Sequence, residues 1–409
     1  MGIFNSKTRV QGSSETLSND SLKEINRSVQ HRPFDLALLT ILAIILIFGT
    51  VMVYSSSIAL QDGRKFASYA VNYFFNRHIL FIFAGLFMMG LVMLVPMEKW
   101  QKYAKLLYIV AAIGLVLVFI PHIGQQVNGA SRWIRFFSFK LQPSEFMKFA
   151  MIIFVSHLTY LKMNDGTLNH LRKGVGIIVL YVGAAAGLII REPDLGTTIV
   201  IISIVFIILV VANINKIYII LLMIAGSIFV VVMIYAYPWR WARILAYRDP
   251  FNPEYASSTS YQLLQSLIAI GRGGWFGEGL GSSVGKLHYL PEAHTDFIMA
   301  VVAEELGVVG VFFVMLLFIL LLHRMFRIAR RAFDNDLIFN GLVVHGIIAW
   351  IFVQFIVNLG VVSGLLPTKG LTMPFISYGG SSMVMLLMAM GLVIKVDCIN
   401  RGLTRARKL

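Results

Sequence analysis

Residues 290–322 read LPEAHTDFIMAVVAEELGVVGVFFVMLLFILLL, and this stretch decides the fold class. Ionisable side chains stand at its start, and a long apolar run follows from Phe297. About 20 consecutive apolar residues are enough for a helix to cross the hydrocarbon core of a bilayer. Ionisable groups at the edge of such a span are costly, so they usually mark function. The stretch therefore predicts a membrane-spanning helix that begins at a functional group.

The composition extends this prediction to the whole chain. It is 58% hydrophobic and 13% charged, whereas a soluble domain is about 45–50% apolar and about 25% charged. We therefore expect a polytopic membrane protein. The single cysteine, Cys398, excludes an intrachain disulfide and says little about the compartment.

The pattern predicts an all-α fold of about ten transmembrane helices. Each predicted span is an apolar run near the length that crosses a bilayer. The predicted spans are Phe34–Tyr54, His78–Val95, Ala104–Pro121, Ser144–Leu161, Gly174–Ile190, Thr197–Ala212, Ile217–Tyr237, Phe297–Leu322, Leu337–Val362 and Pro374–Ile394.

Lys and Arg orient these spans, because they concentrate in cytoplasmic loops. They are frequent in the N-terminal segment, after the eighth span and at the C-terminus. Both termini are therefore predicted to be cytoplasmic. We expect a disordered tail over 1–32, a membrane domain over 33–395 and a basic tail over 396–409. One large extracytoplasmic loop, 238–295, precedes the eighth span.

A minority of basic residues falls on the outer side. They are Arg132, Arg135, Lys140, Arg240, Arg243, Arg248, Arg272 and Lys286. Long loops cross the membrane regardless of charge, which is one explanation. The other is an anionic substrate in the outer leaflet, since Arg and Lys bind phosphate. Within the large loop, Tyr261–Ile270 has the spacing of a short interfacial helix, and Gly271–Gly285 is either flexible or a phosphate-approaching backbone.

Asp296 is the main candidate for chemistry. Thr295 can cap the eighth span, which would put Asp296 in its first turn. A mere helix-start residue is the simpler alternative. The neighbouring Glu292 and His294 exceed what a cap needs, so they favour a functional site.

The other ionisable residues divide into two groups. Glu304 and Glu305 lie inside the same span, and we predict structural roles for them, with Lys148 and Lys369 as candidate partners. Glu145 and Lys148 are spaced i,i+3, so they form either a local ion pair or part of the substrate site. Lys369 is a candidate phosphate ligand. Metal-binding and nucleophile motifs such as H-E-x-x-H and G-x-S-x-G are absent from the sequence.

Several motifs resemble the SEDS family (shape, elongation, division and sporulation proteins). They are Leu290–Ile298, Leu366–Ser382, Asn128–Ile134, Gln142–Glu145 and Glu192–Thr197. The likeness covers nearly all of the chain after the polar tail. Ala293 and Thr368-Lys369 look like the division branch, whereas the elongation branch usually differs there.

The resemblance implies a multi-pass protein of the bacterial cytoplasmic membrane that polymerises lipid II at the septum. Lipid II is a disaccharide-pentapeptide on undecaprenyl pyrophosphate. The implied partners are a class B penicillin-binding transpeptidase, other divisome membrane proteins and the lipid bilayer, with no nucleic acid. The family's essential aspartate matches Asp296, and its important polar positions match Arg132, Lys148, Glu292 and Lys369.

The residues then suggest a mechanism. Asp296 is predicted to be the general base for the acceptor hydroxyl, and pyrophosphate leaves without a general acid. The predicted substrate-binding set is Arg132, Lys148, Glu292, His294, Lys286, Lys369 and Ser377. No cofactor is required by the motifs, although Mg²⁺ or Mn²⁺ is a candidate companion of the pyrophosphate. A lipid II flippase and a noncatalytic divisome scaffold are the alternative functions.

Overall fold

The computed structural model describes residues 34–59, 72–127, 130–136, 139–256, 258, 260–368 and 370–406. The predicted tail 1–32 and Lys369 lie outside these residues. The elements are α1 Leu36–Ser57, α2 Tyr73–Leu94, α3 Met97–Lys102, α4 Ala104–Leu117, β1 Gly124–Val127, β2 Ala130–Phe136, β3 Phe139–Leu141, α5 Pro143–Asn164, α6 Val175–Arg191, α7 Leu195–Val211, α8 Lys216–Tyr235, α9 Pro238–Arg248, α10 Pro253–Ala256, α11 Tyr261–Gly273, α12 Ile298–Asp334, α13 Ile338–Val362 and α14 Gly380–Ala406. A π-helical turn covers Gly285–Tyr289.

Apolar helices occupy every predicted span. Among the described residues, seven helices are long and apolar enough to cross a membrane: α1, α2, α5, α8, α12, α13 and α14. Three shorter apolar helices, α4, α6 and α7, stand where the third, fifth and sixth spans were predicted. The protein is thus a polytopic helical membrane protein. A count of ten crossings and the side of each terminus stay predictions.

A small antiparallel sheet interrupts the helical pattern between α4 and α5. Its strand order is β1-β2-β3, with a bulge between Gln125 and Gln126. The all-α prediction is therefore incomplete. An Asn-Gly dipeptide, Asn128-Gly129, separates β1 from β2 in the sequence, and this is a strong hairpin signal. A search for long apolar runs misses such short strands.

The core of the bundle lies around α13 and α14. Helix α14 packs along α2, and α13 packs against α12, α7 and α5. By contrast, α8 has no buried residue, so its surface is left for lipid. Helix α14 also continues through Ala406. Residues 396–406 are therefore the last turns of this helix, with Asp397 and Asn400 buried. The basic tail over 396–409 as a separate unit stays a prediction.

Ion pairs join three helix ends at the side of the bundle predicted to be cytoplasmic. Asp35 caps α1 by accepting a hydrogen bond from the Leu38 N–H at 3.2 Å. Its carboxylate also lies 3.5 Å from Arg324 of α12 and 3.7 Å from Arg401 of α14. The Arg401 Nε donates to Asp397 at 2.7 Å. The start of α1 and the basic parts of α12 and α14 thus share one face.

Helix α12 is broken at Gly307, which has a φ of +68° that favours glycine. Segment 273–279 of the large loop fits into the break. The N–H groups of Glu278 and Gly279 donate to the carbonyls of Glu304 and Glu305 at 2.9 and 3.0 Å. The carbonyls of Gly274 and Trp275 accept from the first two N–H groups after Gly307, at 3.0 and 3.2 Å.

The glycines of this segment allow the two backbones to approach. A Cβ at Gly277 would lie 2.2 Å from the Glu305 carbonyl oxygen, and one at Gly307 would lie 2.4 Å from that of Trp275. Segment 273–279 therefore completes the backbone hydrogen bonds of α12 at its break. Neither a flexible loop nor a phosphate-approaching backbone, the two sequence-based interpretations, describes these residues.

Candidate active site

Asp296 lies in the turn just before α12. The helix begins at Ile298 with Phe297 as its N-cap, so the prediction that Thr295 caps it is wrong. Instead the Thr295 hydroxyl donates to the backbone oxygen and to Oε2 of Glu292, at 3.2 and 3.1 Å. The Phe297 N–H also donates to the Glu292 carbonyl at 3.3 Å. These bonds fold residues 292–297 into a compact turn that presents the aspartate.

The segment before α14 holds this turn from the other side. Asn358 of α13 donates to the Asp296 carbonyl at 2.8 Å and to the Leu371 carbonyl at 2.7 Å. The Ser377 hydroxyl donates to the Thr295 carbonyl at 2.5 Å and accepts from the Met373 N–H at 2.8 Å. Ser377 and Asn358 therefore lock the two segments together.

The Asp296 carboxylate lies directly against this segment. A Cβ added at Gly370 would lie 2.6 Å from its Oδ2, so a larger residue there would displace the carboxylate from this position. The preceding residue is Lys369, which is outside the described residues. A role for Lys369 in binding phosphate stays a prediction.

The surroundings of Asp296 raise the pKa of its carboxyl. Burial is the main cause that raises the pKa of Asp296 to about 7. Glu292 raises the pKa further, Arg132 opposes the rise, and Asp194 adds to it. A carboxyl with such a pKa is an efficient general base near pH 7.

Arg132 of β2 brings a cation into the same cluster. Its Nε donates to the Glu192 carbonyl at 3.0 Å, and its Nη2 donates to the Pro193 carbonyl at 2.7 Å. It therefore docks the small sheet onto the turn between α6 and α7. Two of the five N–H donors of the guanidinium are used in this way, which leaves others for an anion.

Arg243 of α9 is a further cation that was noticed in the sequence but not placed in the site. Its Nη1 donates to the Thr368 carbonyl at 3.4 Å. Burial, and then repulsion from Arg132, lower the pKa of Arg243. Two arginines from distant parts of the chain thus lie close enough to influence each other beside the 368–372 segment.

Glu192 was quoted within a motif but not proposed as a site residue. Its side chain is 0% exposed. Burial raises its pKa to about 8, Asp194 adds to the rise, and Arg132 opposes it. Asp194 caps α7, where it accepts from the Thr197 N–H at 3.1 Å and from the Thr197 hydroxyl at 2.7 Å. No sequence pattern would single out Glu192, because its isolation depends on the packing around it.

Lys148 is fully buried inside the bundle. Its Nζ lies 2.8 Å from Glu145, 3.4 Å from Oε1 of Gln354 and 4.9 Å from the centre of the Trp350 ring. The ion pair with Glu145 is present. Gln354 then donates to the Thr372 carbonyl at 2.8 Å. In this conformation Lys148 therefore reaches the site through Gln354, and direct substrate contact by Lys148 stays a prediction.

Glu304 and Glu305 hold the large loop where α12 is broken. Glu304 accepts from the Ser283 hydroxyl at 2.5 Å and from the N–H groups of Val284 and Gly285 at 3.0 and 3.2 Å. Glu305 accepts from the Ser55 hydroxyl of α1 at 2.7 Å. The ion pair of Glu305 is with Lys286 and not with Lys148, one of the two expected partners. Lys369, the other expected partner, lies outside the described residues.

Lys286 is buried, whereas a lysine that binds substrate directly is expected to be accessible. Its Nζ lies 2.8 Å from Glu305 and donates to the Gly281 carbonyl at 2.6 Å. These contacts give it a role in anchoring the loop. The predicted role in substrate binding requires this ion pair to open, and it stays a prediction.

His294 lies in an aromatic cluster beside the turn. Its ring centre is 4.7 Å from that of Phe74 and 5.8 Å from that of Tyr378. The N–H of Tyr378 also donates to the His294 carbonyl at 3.0 Å. The cluster packs α2 against the turn that carries Asp296.

The acidic residues near Asp296 are not part of a larger cluster of metal-ligating side chains among the described residues. Within the part of the chain that the structure describes, no group of three or more His, Cys, Asp or Glu side chains could hold a metal ion. A divalent cation as companion of the substrate's pyrophosphate stays a prediction.

Together, the fold and the site define a class of protein. It is a polytopic membrane protein in which an aspartate with a raised pKa and two arginines cluster at one end of the helical bundle. A family model described as a cell cycle protein matches residues 35–402. The chain belongs to this family, the FtsW/RodA/SpoVE proteins, as its motifs indicated.

The relatives are of the division branch that the sequence predicted. A protein of Taylorella equigenitalis (strain MCE9) named "Probable peptidoglycan glycosyltransferase FtsW" is 51% identical over 88% of this chain and 97% of its own length. A protein of the same name from Burkholderia thailandensis is 44% identical over 92% of this chain and 81% of its own.

Two solved structures share the fold. A chain from work on a peptidoglycan synthase complex that coordinates polymerization and crosslinking is 26% identical, with a TM-score of 0.70 over 90% of this chain and 98% of that chain. The rod shape determining protein RodA of Thermus thermophilus is 25% identical, with a TM-score of 0.64 over 89% of this chain and 96% of that one.

Proposed function

We infer that this protein is a peptidoglycan glycosyltransferase that polymerises lipid II into β-1,4 glycan strands. The surroundings of Asp296 carry this inference. Its carboxyl is half-buried, has a pKa raised to about 7 by burial, and lies in one cluster with Arg132. A base and a phosphate ligand within one charge cluster suit an acceptor hydroxyl and a pyrophosphate leaving group.

The reaction is a single displacement with inversion. Asp296 accepts the proton of the acceptor's 4-hydroxyl while that oxygen bonds to the anomeric carbon of the donor sugar. The bond from that carbon to the pyrophosphate oxygen breaks, and its electron pair leaves with undecaprenyl pyrophosphate. An α-linked donor thus gives a β-linked product. Pyrophosphate is a good leaving group and needs no proton, so one carboxylate is enough.

Basic residues near the site stabilise the departing charge. We assign Arg132 and Lys369 to the pyrophosphate, because a planar guanidinium and a point charge are the usual phosphate ligands. Glu292, His294, Ser377 and Lys148 support the site through the contacts that hold the 292–297 turn and the 371–378 segment. Lys286 acts at the loop anchor.

We further propose that the enzyme works at the septum, at the outer face of the cytoplasmic membrane, with a class B penicillin-binding transpeptidase. Membership of the division branch supports this placement. The likeness to a chain of a peptidoglycan synthase complex supports a partner of that class.

The deciding experiment uses the purified protein together with its transpeptidase. It is incubated with fluorescent lipid II, and the products are separated on a gel. We expect glycan polymer with the wild type and with Glu254→Gln, which changes an exposed carboxyl of the outer loop. We expect none with Asp296→Asn. Absence of polymer, combined with lipid II movement between the leaflets of vesicles, would favour a flippase. Absence of both activities would favour a scaffold.

A further inference from the structure

Glu192 is a buried acid without an evident structural partner. Its side chain is 0% exposed, and neither carboxyl oxygen has a hydrogen-bond partner within the described structure. Most buried polar groups in proteins are hydrogen-bonded, so an exception calls for an explanation. An ionised carboxylate in such a place would be costly, which favours the protonated form.

The charged groups that act on Glu192 are Asp194 in its own turn and Arg132 of β2. Both also act on Asp296. The backbone supports this proximity, since Arg132 donates to the Glu192 carbonyl at 3.0 Å. The start of α7 in turn reaches the 371–378 segment, where a Cβ at Gly196 would lie 3.2 Å from the Leu371 side chain. Glu192 therefore belongs to the charge cluster of the active site.

We propose that Glu192 is a positioning residue for Arg132. As the neutral acid it leaves the guanidinium available to a phosphate group of the substrate, and as the anion it captures the guanidinium. The proposal rests on the proposed function, because that function supplies the pyrophosphate.

Ionisation of Glu192 and of Asp296 sets the direction in which activity changes with pH. Burial raises the pKa of Glu192 to about 8, so the group is mostly protonated at pH 7 and ionises above pH 8. The ionised form can pair with Arg132 through two hydrogen bonds, as carboxylates commonly do with arginine. It also adds a negative charge where an anion must bind. Substrate affinity therefore falls as the pH rises through about 8.

Ionisation of Asp296 has the opposite effect, because it increases the catalysed rate. As a base it must be ionised, and its pKa is raised to about 7. The catalysed rate therefore falls as the pH drops below about 7. The wild type should be most active between these two values, with an acid limb from Asp296 and an alkaline limb from Glu192.

The first test compares Glu192→Gln with the wild type in the polymerisation assay from about pH 6 to about pH 9.5. Gln resembles the neutral acid and cannot ionise. The wild-type KM should rise about tenfold per pH unit above pH 8, whereas that of Glu192→Gln should stay flat. Both should keep the acid limb, and Glu254→Gln should match the wild type throughout. An equal alkaline limb in Glu192→Gln would overturn the proposal.

The second test needs no catalysis. Binding of undecaprenyl pyrophosphate to the full-length protein in detergent is measured over the same pH range. Wild-type Kd should rise above pH 8, and Arg132→Gln should bind more weakly with little change over that range. A flat wild-type Kd would overturn the proposal even if Glu192→Gln did not fold. Binding that follows the expected pH curve without any polymer would instead refute the proposed function alone.

Discussion

Two pairs of acidic residues differ in how their negative charges are stabilised. Glu304 and Glu305, at the break in α12, accept hydrogen bonds from Ser283, Ser55, Lys286 and backbone N–H groups. Among the described residues Glu192 has no such partner, and Asp296 is half-buried with a pKa raised by burial to about 7. Glu304 and Glu305, which have hydrogen-bond partners, hold the structure together. Glu192 and Asp296 are instead suited to act on a substrate.

This contrast makes the two pairs separable by experiment. Changes to Glu192 or Asp296 should alter rate and pH dependence while the protein stays folded. Changes to Glu304, Glu305 or their partners should lower stability first, because a buried charge that loses its partner is strongly destabilising.

The largest effect is expected for Asp296→Asn. Removal of a positioned base typically costs about 10²–10⁴-fold in rate, so polymerisation should fall by that factor. The melting temperature in detergent should be unchanged or higher, since a half-buried carboxyl with a raised pKa is replaced by a neutral amide. A large loss of thermal stability in this variant would contradict the division between the two pairs.

Lys286→Met should have the next largest effect. It leaves Glu305 buried beside Ser55 without its cation, which typically costs about 3–5 kcal/mol. The expected result is a clear fall in melting temperature, whereas Lys173→Met, at an exposed position, should behave as the wild type. If Lys286→Met kept its melting temperature and only raised KM, the lysine would be a substrate ligand instead.

A smaller loss is expected for Gly307→Ala. The φ of +68° is unfavourable for alanine, and the added Cβ would lie 2.4 Å from the Trp275 carbonyl oxygen. Such strain costs on the order of 1–3 kcal/mol. Limited proteolysis should cut segment 273–279 faster than in the wild type. Gly226→Ala in α8, where the added Cβ meets no atom within 4 Å, is the matched control.

A loss of the same order is expected for Ser377→Ala. It removes the 2.5 Å bond to the Thr295 carbonyl and leaves the Met373 N–H without its acceptor. The loss should be about 1–3 kcal/mol. Because these bonds hold the turn that carries Asp296, turnover should fall more than the amount of folded protein. Unchanged turnover per folded molecule would remove Ser377 from the support of the site.

The sequence was sufficient for the helices and for the position of the main acid. Long apolar runs are a local signal, and each one corresponds to a helix. Asp296 stood out because ionisable residues are rare beside such a run. Its helix position was wrong by a few residues, since the turn is set by the bonds of Glu292 and Thr295.

The remaining features depend on contacts between distant parts of the chain. Ser55 and Glu305 are separated by 250 residues, so no local pattern could pair them. The break at Gly307 was hidden by the apolar residues on both sides of it. The isolation of Glu192 is a property of three-dimensional packing, and the residue alone gives no sign of it.

The interrupted α12 has a consequence for how the protein is assembled. The carbonyls of Glu304 and Glu305 and the N–H groups just after Gly307 are completed by residues 274–279, which are synthesised earlier. Until that segment docks, these groups would face hydrocarbon unsatisfied, at a cost of several kcal/mol each. Docking of this segment must therefore precede release of the finished helix into the bilayer, which makes the order of insertion part of the folding pathway.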